Sequence, residues 1–169
     1  MRVVRDKLME ELRALDRELR IDLPKEIKTA LAMGDLRENA EYHAALERQG
    51  YVKARMGQLR QRLTELGTMD LSRIPADRVG LGSTVRLLDL DSNDEVTYEL
   101  VLPEIADLTT GLISIASPIG RGLVERREGD EVTIPIPSGR RRFELLEVRT
   151  VHQKNEPSSP DGPETGETP

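Results

Sequence analysis

The stretch Gly34-Asp35-Leu36-Arg37-Glu38-Asn39-Ala40-Glu41-Tyr42 decides the fold, because it places three carboxylates in a turn between two long helical patterns. On both sides of this turn, apolar side chains recur at spacings of three and four residues, which is the pattern of a coiled-coil seam. Two such helices joined by a short turn pair as an antiparallel hairpin. The predicted seam consists of Leu8, Leu12, Leu15 and Leu19 before the turn, and of Tyr42, Leu46, Gln49, Val52, Met56, Leu59, Leu63 and Leu66 after it.

The sequence also predicts where the helices begin. Asp35 followed three residues later by Glu38 fits a capping box at the start of the second helix. In the first helix, Pro24 removes a backbone donor and crowds the preceding turn, so we expect a kink or a restart there, with Asp22 as the N-cap. A helix over residues 42–66 would be about 35–40 Å long, so it could carry the turn well away from a compact domain.

Composition excludes several classes of protein. Of the 169 residues 33% are charged, which suits a coiled coil with solvated outer faces, and 2% are aromatic, which disfavours a base-stacking platform. The absence of cysteine excludes disulfides and thiolate zinc sites. The apolar runs are too short to span a membrane, and residues 1–6 lack the apolar core of a secretion signal. We therefore expect a cytoplasmic protein with no membrane partner.

Charge is distributed unevenly along the chain. The net charge of -6 argues against tight autonomous binding to nucleic acid. Residues 1–66 nevertheless hold 14 Lys or Arg against 12 Asp or Glu, whereas residues 67–152 hold 10 against 15. Arg48, Arg55 and Arg62 recur every seven residues and share one face of the second helix. This face is either a solvated exterior or a surface that meets phosphates.

The chain is predicted to be a two-domain α+β protein. Residues 1–68 form the hairpin and residues 69–78 a connection. Residues 79–152 alternate β-rich runs with turn residues, which indicates a small antiparallel sheet with one short helix over residues 119–127. Residues 153–169 are rich in Pro, Ser, Gly and acids and are predicted to be a disordered acidic tail. Strands are expected at residues 83–90, 95–102, 112–116, 132–136 and 142–151.

The carboxylates of the turn allow two interpretations. Asp35 and Glu38 can satisfy free backbone amides and oppose the positive end of the helix dipole. Exposed carboxylates are also hard oxygen ligands for Mg²⁺, an ion that keeps several waters and is commonly shared with substrate phosphates. Two carboxylates alone hold such an ion weakly. A metal-assisted role would therefore operate only inside the active site of another protein.

The turn closely resembles the tip signature of the bacterial Gre factors, the transcript-cleavage elongation factors, and of the GreA type in particular. The matching residues are Gly34-Asp35-Leu36-Arg37-Glu38-Asn39-Ala40-Glu41-Tyr42-His43-Ala44-Ala45. A twelve-residue motif followed by a matching second domain is a strong signal. The resemblance covers residues 8–148 and continues, in order, through residues 79–85, 95–98, 106–107, 111–114, 117–119 and 128–130.

The resemblance implies a coiled-coil hairpin inserted into the secondary channel of bacterial RNA polymerase. It also implies a C-terminal domain with an FKBP-like antiparallel sheet and one short helix, seated on the channel rim. Asp35 and Glu38 are then the catalytic residues, which hold a Mg²⁺ together with the polymerase during cleavage of backtracked nascent RNA. The isolated protein is expected to be a monomer that binds no cofactor and is inert alone.

The resemblance assigns supporting roles as well. Asn39, Glu41 and Tyr42 support the tip, although Tyr42 also starts the seam and can serve packing alone. Arg48, Arg55 and Arg62 are candidates for an RNA-facing surface. A loop before the short helix contacts the polymerase, although its residues equally fit a strand ended by proline. The polymerase-binding residues of this loop are Ser114, Ser117, Pro118 and Ile119.

An alternative function is that of a non-cleaving regulator, which occludes the secondary channel or competes with other channel factors. The presence of both Asp35 and Glu38 favours cleavage, because a plug has no need of metal ligands.

Overall fold

The structure is a computed structural model that describes residues 1–34 and 38–154. The chain divides into two compact units, Met1–Asp70 and Leu71–Pro169, called here the helical unit and the sheet unit. The metal-ligand prediction for Asp35 and the tail prediction beyond residue 154 lie outside the described residues.

The helical unit is an antiparallel hairpin. Its first arm consists of α1 (Arg2–Arg17), a π-helical turn (Glu18–Asp22) and α2 (Leu23–Leu31), and its second arm is α3 (Ala40–Thr68). Both α1 and α2 pack against α3.

The hairpin buries most of the predicted seam. The prediction is wrong at Leu46, which is 38% exposed, whereas the neighbouring Ala45 is 6% exposed. Counting back from Val52 at the same alternating spacing leads through Gln49 to position 45, so the side chain of residue 46 projects beside the seam. The residues Leu8, Leu15, Val52, Met56, Leu59 and Leu66 are buried as predicted, and Leu12, Leu19, Tyr42, Gln49 and Leu63 are partly buried.

The π-helical turn accommodates Pro24. The N–H of Leu23 donates to the carbonyl of Glu18, five residues back, and Pro24 is the second residue of α2, where its missing donor is tolerated. The first arm therefore remains helical past Pro24, and the irregularity there is a π-helical turn rather than the predicted restart. The prediction of Asp22 as an N-cap is wrong, because its backbone remains helical (φ -76°, ψ -52°) and its side chain makes no capping bond.

The sheet unit is a five-stranded sheet with short helices, so the predicted α+β class is confirmed. The strand order is β3-β2-β1-β5-β4, and all neighbours are antiparallel except β2 and β3, which are parallel. The strands are β1 (Thr84–Asp89), β2 (Glu95–Val101), β3 (Leu112–Ser114), β4 (Glu131–Ile136) and β5 (Gly139–Arg149). The helices are α4 (Pro118–Leu123), α5 (Val151–Lys154) and 3₁₀ turns at Leu71–Arg73, Pro103–Ile105 and Leu108–Thr110.

Three predicted boundaries in this unit are wrong. The third strand ends at Ser114 rather than residue 116, because the chain turns there toward α4. The helix ends at Leu123 rather than residue 127, since Val124 is extended (ψ 140°) and Glu125 has φ +67°. The last strand begins at Gly139, three residues early, because the turn before it is tighter than predicted.

The core of the sheet unit lies on one face of the sheet, where alternate residues of each strand turn inward. α4 covers this face by packing on β4. The buried core residues are Val79, Val85, Leu87, Leu100, Ile113, Leu123, Val132, Ile134, Phe143 and Leu145.

A buried carboxylate fixes the turn between β1 and β2. Asp89 is 3% exposed and accepts hydrogen bonds from Arg141 Nε (3.0 Å) and from the backbone amides of Asp91 (2.9 Å) and Ser92 (3.3 Å). The bond from Arg141, supported by the two amides, lowers the pKa of Asp89 below its ordinary value. Asp89 is therefore ionised in the folded unit at neutral pH.

Candidate functional site

The hairpin turn begins where α2 ends. The N–H of Met33 donates to the carbonyl of Ala30 (3.1 Å), which closes the last turn of the helix. Gly34 has φ +132°, a conformation that other residues rarely adopt, so glycine is required where the chain leaves α2. Asp35 follows and lies outside the described residues.

Asn39 is the N-cap of α3. Its Oδ1 accepts from the N–H of Tyr42 (3.0 Å), and its Nδ2 donates to the carbonyl of Ala30 (2.6 Å) near the end of α2. The predicted capping box from Asp35 to Glu38 is therefore wrong, because the helix begins only at Ala40. Asparagine caps a helix as well as aspartate does, and the extended backbone of Asn39 (φ -83°, ψ 92°) has the conformation that a cap needs.

Glu38 lies just before the cap, with its side chain exposed. Glu41 is also exposed, in the first turn of α3. Because Glu38 is outside the helix and is not a capping residue, its carboxylate is free to face a partner. Among the described residues, no group of three or more His, Asp or Glu side chains is arranged to hold a metal ion.

Tyr42 is partly buried, and its ring lies edge-on to that of His43 at a centroid distance of 5.7 Å. Partial burial fits both packing and support of the tip, so the role of Tyr42 stays a prediction. His43 itself is exposed.

The arginines predicted as an RNA-facing surface form ion pairs with carboxylates. Arg48 donates through Nε and Nη2 to Glu18 (2.5 and 2.9 Å), and Arg55 donates through the same atoms to Glu11 (2.7 and 3.1 Å). The hydrogen bond from Arg48 lowers the pKa of Glu18. Arg62, at the far end of this edge, donates to Glu65 at 3.1 Å. These arginines share one face of α3; Arg48 and Arg55 connect it to the first arm, whereas the bond from Arg62 to Glu65 lies within α3.

A second set of arginines, not singled out from the sequence, borders a groove of about 480 Å³ on the other edge of the seam. Arg60 follows the buried Leu59, whereas Arg55 precedes the buried Met56, so the two arginines flank the seam on opposite sides. In the sequence, this set is indicated by the spacing of four and three residues between Arg13, Arg17 and Arg20 on the first arm. The basic groove is formed by Arg13, Arg17, Arg20 and Arg60, with Asp16 as its acid and with Leu12, Ile21 and Met56 as its apolar lining.

The charge of the basic groove is largely uncompensated. Arg20 donates to Asp16 at 3.1 Å. Within residues 1–34 and 38–154, Arg13, Arg17 and Arg60 have no carboxylate partner. One edge of the hairpin is therefore neutralised by ion pairs, and the other presents positive charge to solvent.

In the sheet unit, the predicted polymerase-binding residues form a tightly bonded loop. Ser117 caps α4 by accepting from the N–H of Gly120 (3.0 Å), and its hydroxyl donates to the carbonyl of Ser114 (2.7 Å). Pro118 is the first residue of α4, where it needs no donor. The loop is held so closely that a Cβ on Gly120 would lie 2.1 Å from the Ser114 oxygen.

The same loop borders an apolar groove of about 360 Å³. Leu108, at its margin, is 69% exposed. The apolar groove is lined by Ala106, Leu108, Leu112, Ile113, Ser114, Ser117, Pro118, Ile119, Ile136 and Pro137. The four predicted residues thus lie together on one surface.

In the described part of the chain, no helix is both long and apolar enough to cross a membrane.

Known families match both parts of the sequence. Residues 4–66 match the family described as "Transcription elongation factor, N-terminal". Residues 74–150 match "Transcription elongation factor, GreA/GreB, C-term". Together the two matches leave only the chain ends and a short connection uncovered.

Individual relatives carry the same description. This chain is 47% identical over 144 residues to a protein named transcription elongation factor GreA from Desulfotalea psychrophila. It is 42% identical over 148 residues to a protein of the same name from Anaeromyxobacter sp.. These alignments cover 85% and 88% of this chain and 89% of each relative. The crystal structure of GreA factor homolog 1 from Thermus thermophilus is 26% identical, with 86% of this chain and 94% of that chain covered and a TM-score of 0.40.

Proposed function

This chain belongs to the GreA/GreB family of transcription elongation factors, and we propose that it binds bacterial RNA polymerase through the secondary channel and stimulates the cleavage of backtracked nascent RNA. An elongation factor is an accessory protein, and we assign the cleavage chemistry to the polymerase. The isolated chain is then inert toward RNA. Its task is to bring side chains to a reaction centre that it does not contain.

The observation that carries the proposal is the exposure of Glu38 at the end of a two-helix arm. The carboxylate precedes the cap of α3 and is not used to satisfy the helix start. A group that completes the active site of another protein must be presented in this way.

The donor set fits Mg²⁺, which prefers carboxylate oxygens and retains open positions for other ligands. Glu38, with Asp35 outside the described residues, would supply one side of the ion and the polymerase the other. When bound, the ion stabilises charge developing on the phosphate and makes a bound water more acidic. The part of this chain is to hold its carboxylates in place beside the RNA.

The basic groove supports an RNA-facing surface on the hairpin. Its arginines are exposed on one edge, and phosphates attract guanidinium groups strongly in this geometry. We therefore assign the contact with extruded RNA to Arg13, Arg17, Arg20 and Arg60, and not to Arg48 and Arg55, whose donors are directed at Glu18 and Glu11.

The apolar groove supports a docking role for the sheet unit. Leu108 and Ile119 offer apolar area, and the bonded loop from Ser114 to Ser117 holds this surface rigid. Rigid apolar surfaces with a few polar groups are typical of protein interfaces. We propose that the polymerase seats against this groove, with one monomeric factor on each enzyme in the cytoplasm.

The test is to add the purified protein to a backtracked elongation complex in the presence of Mg²⁺. Release of short RNA fragments carrying the 3′ end, with none from RNA and factor alone, supports the proposal. Binding to the polymerase without any release of fragments would reject cleavage and support the non-cleaving regulator. The Glu47→Gln variant is a matched control, because Glu47 is exposed on α3 beyond the turn.

A further inference from the structure

One amide side chain joins the two arms of the hairpin at the turn. Asn39 accepts from the N–H of Tyr42 at 3.0 Å and donates to the carbonyl of Ala30 at 2.6 Å. The two partners fix the orientation of the amide, because a backbone N–H only donates and a carbonyl only accepts. Aspartate is an equally good helix cap, but its carboxylate has no donor for Ala30. A serine hydroxyl can also accept and donate at once, as Ser117 does, but it ends one bond short of the position of the amide nitrogen, so asparagine suits the span to Ala30.

We propose that Asn39 is a positioning residue for Glu38, and this inference rests on the function proposed above. Glu38 precedes Asn39 by one peptide bond, and its side chain is exposed. Among the described residues, no donor is bonded to the Glu38 carboxylate. The position of the Glu38 carboxylate therefore depends on the backbone around it. The hydrogen bond from Asn39 to Ala30 connects that backbone to the end of α2.

The expected size of the effect follows from the precision that catalysis needs. A displacement of about 1 Å at a reacting group can lower a rate by on the order of 100-fold. We expect Asn39→Ala to lower the cleavage rate at saturating factor by about 10- to 100-fold. The concentration of factor that gives half the maximal rate should not change, because the basic groove and the apolar groove are untouched.

Two further variants separate the two bonds of Asn39. Asn39→Asp and Asn39→Ser each keep an oxygen that can cap α3, and each removes the amide donor to Ala30. Aspartate has no donor at all, and the serine hydroxyl ends one bond short of the amide nitrogen, so Asn39→Asp is the stricter of the two variants. If the bridge to Ala30 positions Glu38, both variants cleave as slowly as Asn39→Ala. If both cleave at the wild-type rate, the cap alone matters and the inference is wrong. A raised half-saturating concentration with an unchanged maximal rate would also overturn it, because the role would then be in binding.

Hydrogen exchange of the Tyr42 amide in the free protein provides a readout independent of cleavage. Exchange should remain slow in Asn39→Asp and Asn39→Ser and become fast in Asn39→Ala. If the first two variants also exchange fast, their slow cleavage reflects an unwound helix start and the positioning role is rejected.

Glu38→Gln in the same experiment separates this inference from the proposed function. If wild-type protein cleaves, Glu38→Gln does not and Asn39→Ala cleaves normally, the function stands and the positioning role falls. If wild-type protein does not cleave, the function falls and the inference falls with it.

Discussion

Replacement of Gly120 by alanine should destabilise the sheet unit strongly. A Cβ at this position would lie 2.1 Å from the carbonyl oxygen of Ser114 and 3.0 Å from the Cα of Ile115. Both are backbone atoms, so no side-chain rotation relieves the overlap, and the start of α4 must move by more than about 1 Å to restore normal contact. Overpacking of this kind lowers the free energy of unfolding by about 1–3 kcal/mol. Because the neighbouring atoms belong to the backbone, we expect a loss near the upper end, about 3 kcal/mol.

Scanning calorimetry combined with peptide-resolved hydrogen exchange measures this effect in each unit separately. A loss of about 3 kcal/mol should lower the melting temperature of the sheet unit by about 12–24 °C. The matched control is Gly50→Ala, because a Cβ there meets nothing within 4 Å and alanine is favoured by about 1 kcal/mol inside a helix. We expect this control to stabilise the helical unit. If Gly120→Ala melts within about 3 °C of wild type, the close approach of α4 to β3 is wrong.

Three further changes test the ion pairs and the basic groove. A double-mutant cycle on Glu11 and Arg55, followed by urea unfolding, should give a coupling of about 0.5–1 kcal/mol that shrinks in high salt, and zero coupling at low salt would contradict the pairing. Asp89→Asn should lower stability at neutral pH. Because folding lowers the pKa of Asp89, the greater stability of the wild-type protein is fully present above about pH 3.9. It is lost as the pH falls through the lowered pKa that Asp89 has in the folded protein, so the urea midpoints of the two proteins should converge in acid. The double variant Arg17→Glu, Arg60→Glu should raise the factor concentration that gives half-maximal cleavage. The slope of the logarithm of that concentration against the logarithm of salt concentration should fall by about 1.4, and an unchanged slope would exclude both arginines from the phosphate contact.

The sequence was sufficient to predict the hairpin because its seam is periodic over many turns. Val52, Met56 and Leu59 lie in that seam as predicted. The spacing pattern places Leu46 in the seam, whereas the structure buries Ala45. Near the turn, geometry and not size decides which residue faces the other arm.

The capping of α3 shows why local motifs are harder to predict. The sequence pattern predicts a cap from Asp35 with Glu38, whereas the structure has Asn39 as the cap, which moves the start of the helix by four residues. The structure selects Asn39 because it can also reach Ala30 across the turn. That contact joins residues on different arms, so no local spacing indicates it.

The arginines illustrate the same point for charge. The seven-residue spacing of Arg48 and Arg55 identified a shared face, but Glu18 and Glu11 are 30 and 44 residues away in sequence. Only the register of the two arms shows that these acids and bases meet.

The single-turnover cleavage rate of a backtracked complex at saturating factor tests the central claim most directly. Wild-type protein, Glu38→Gln and Glu47→Gln should bind the polymerase with equal half-saturating concentrations. The account predicts that Glu38→Gln cleaves about 100-fold more slowly than the other two, as expected for loss of one charged group acting on the transition state. Cleavage by Glu38→Gln at the wild-type rate would contradict the assignment of the tip carboxylate to the reaction.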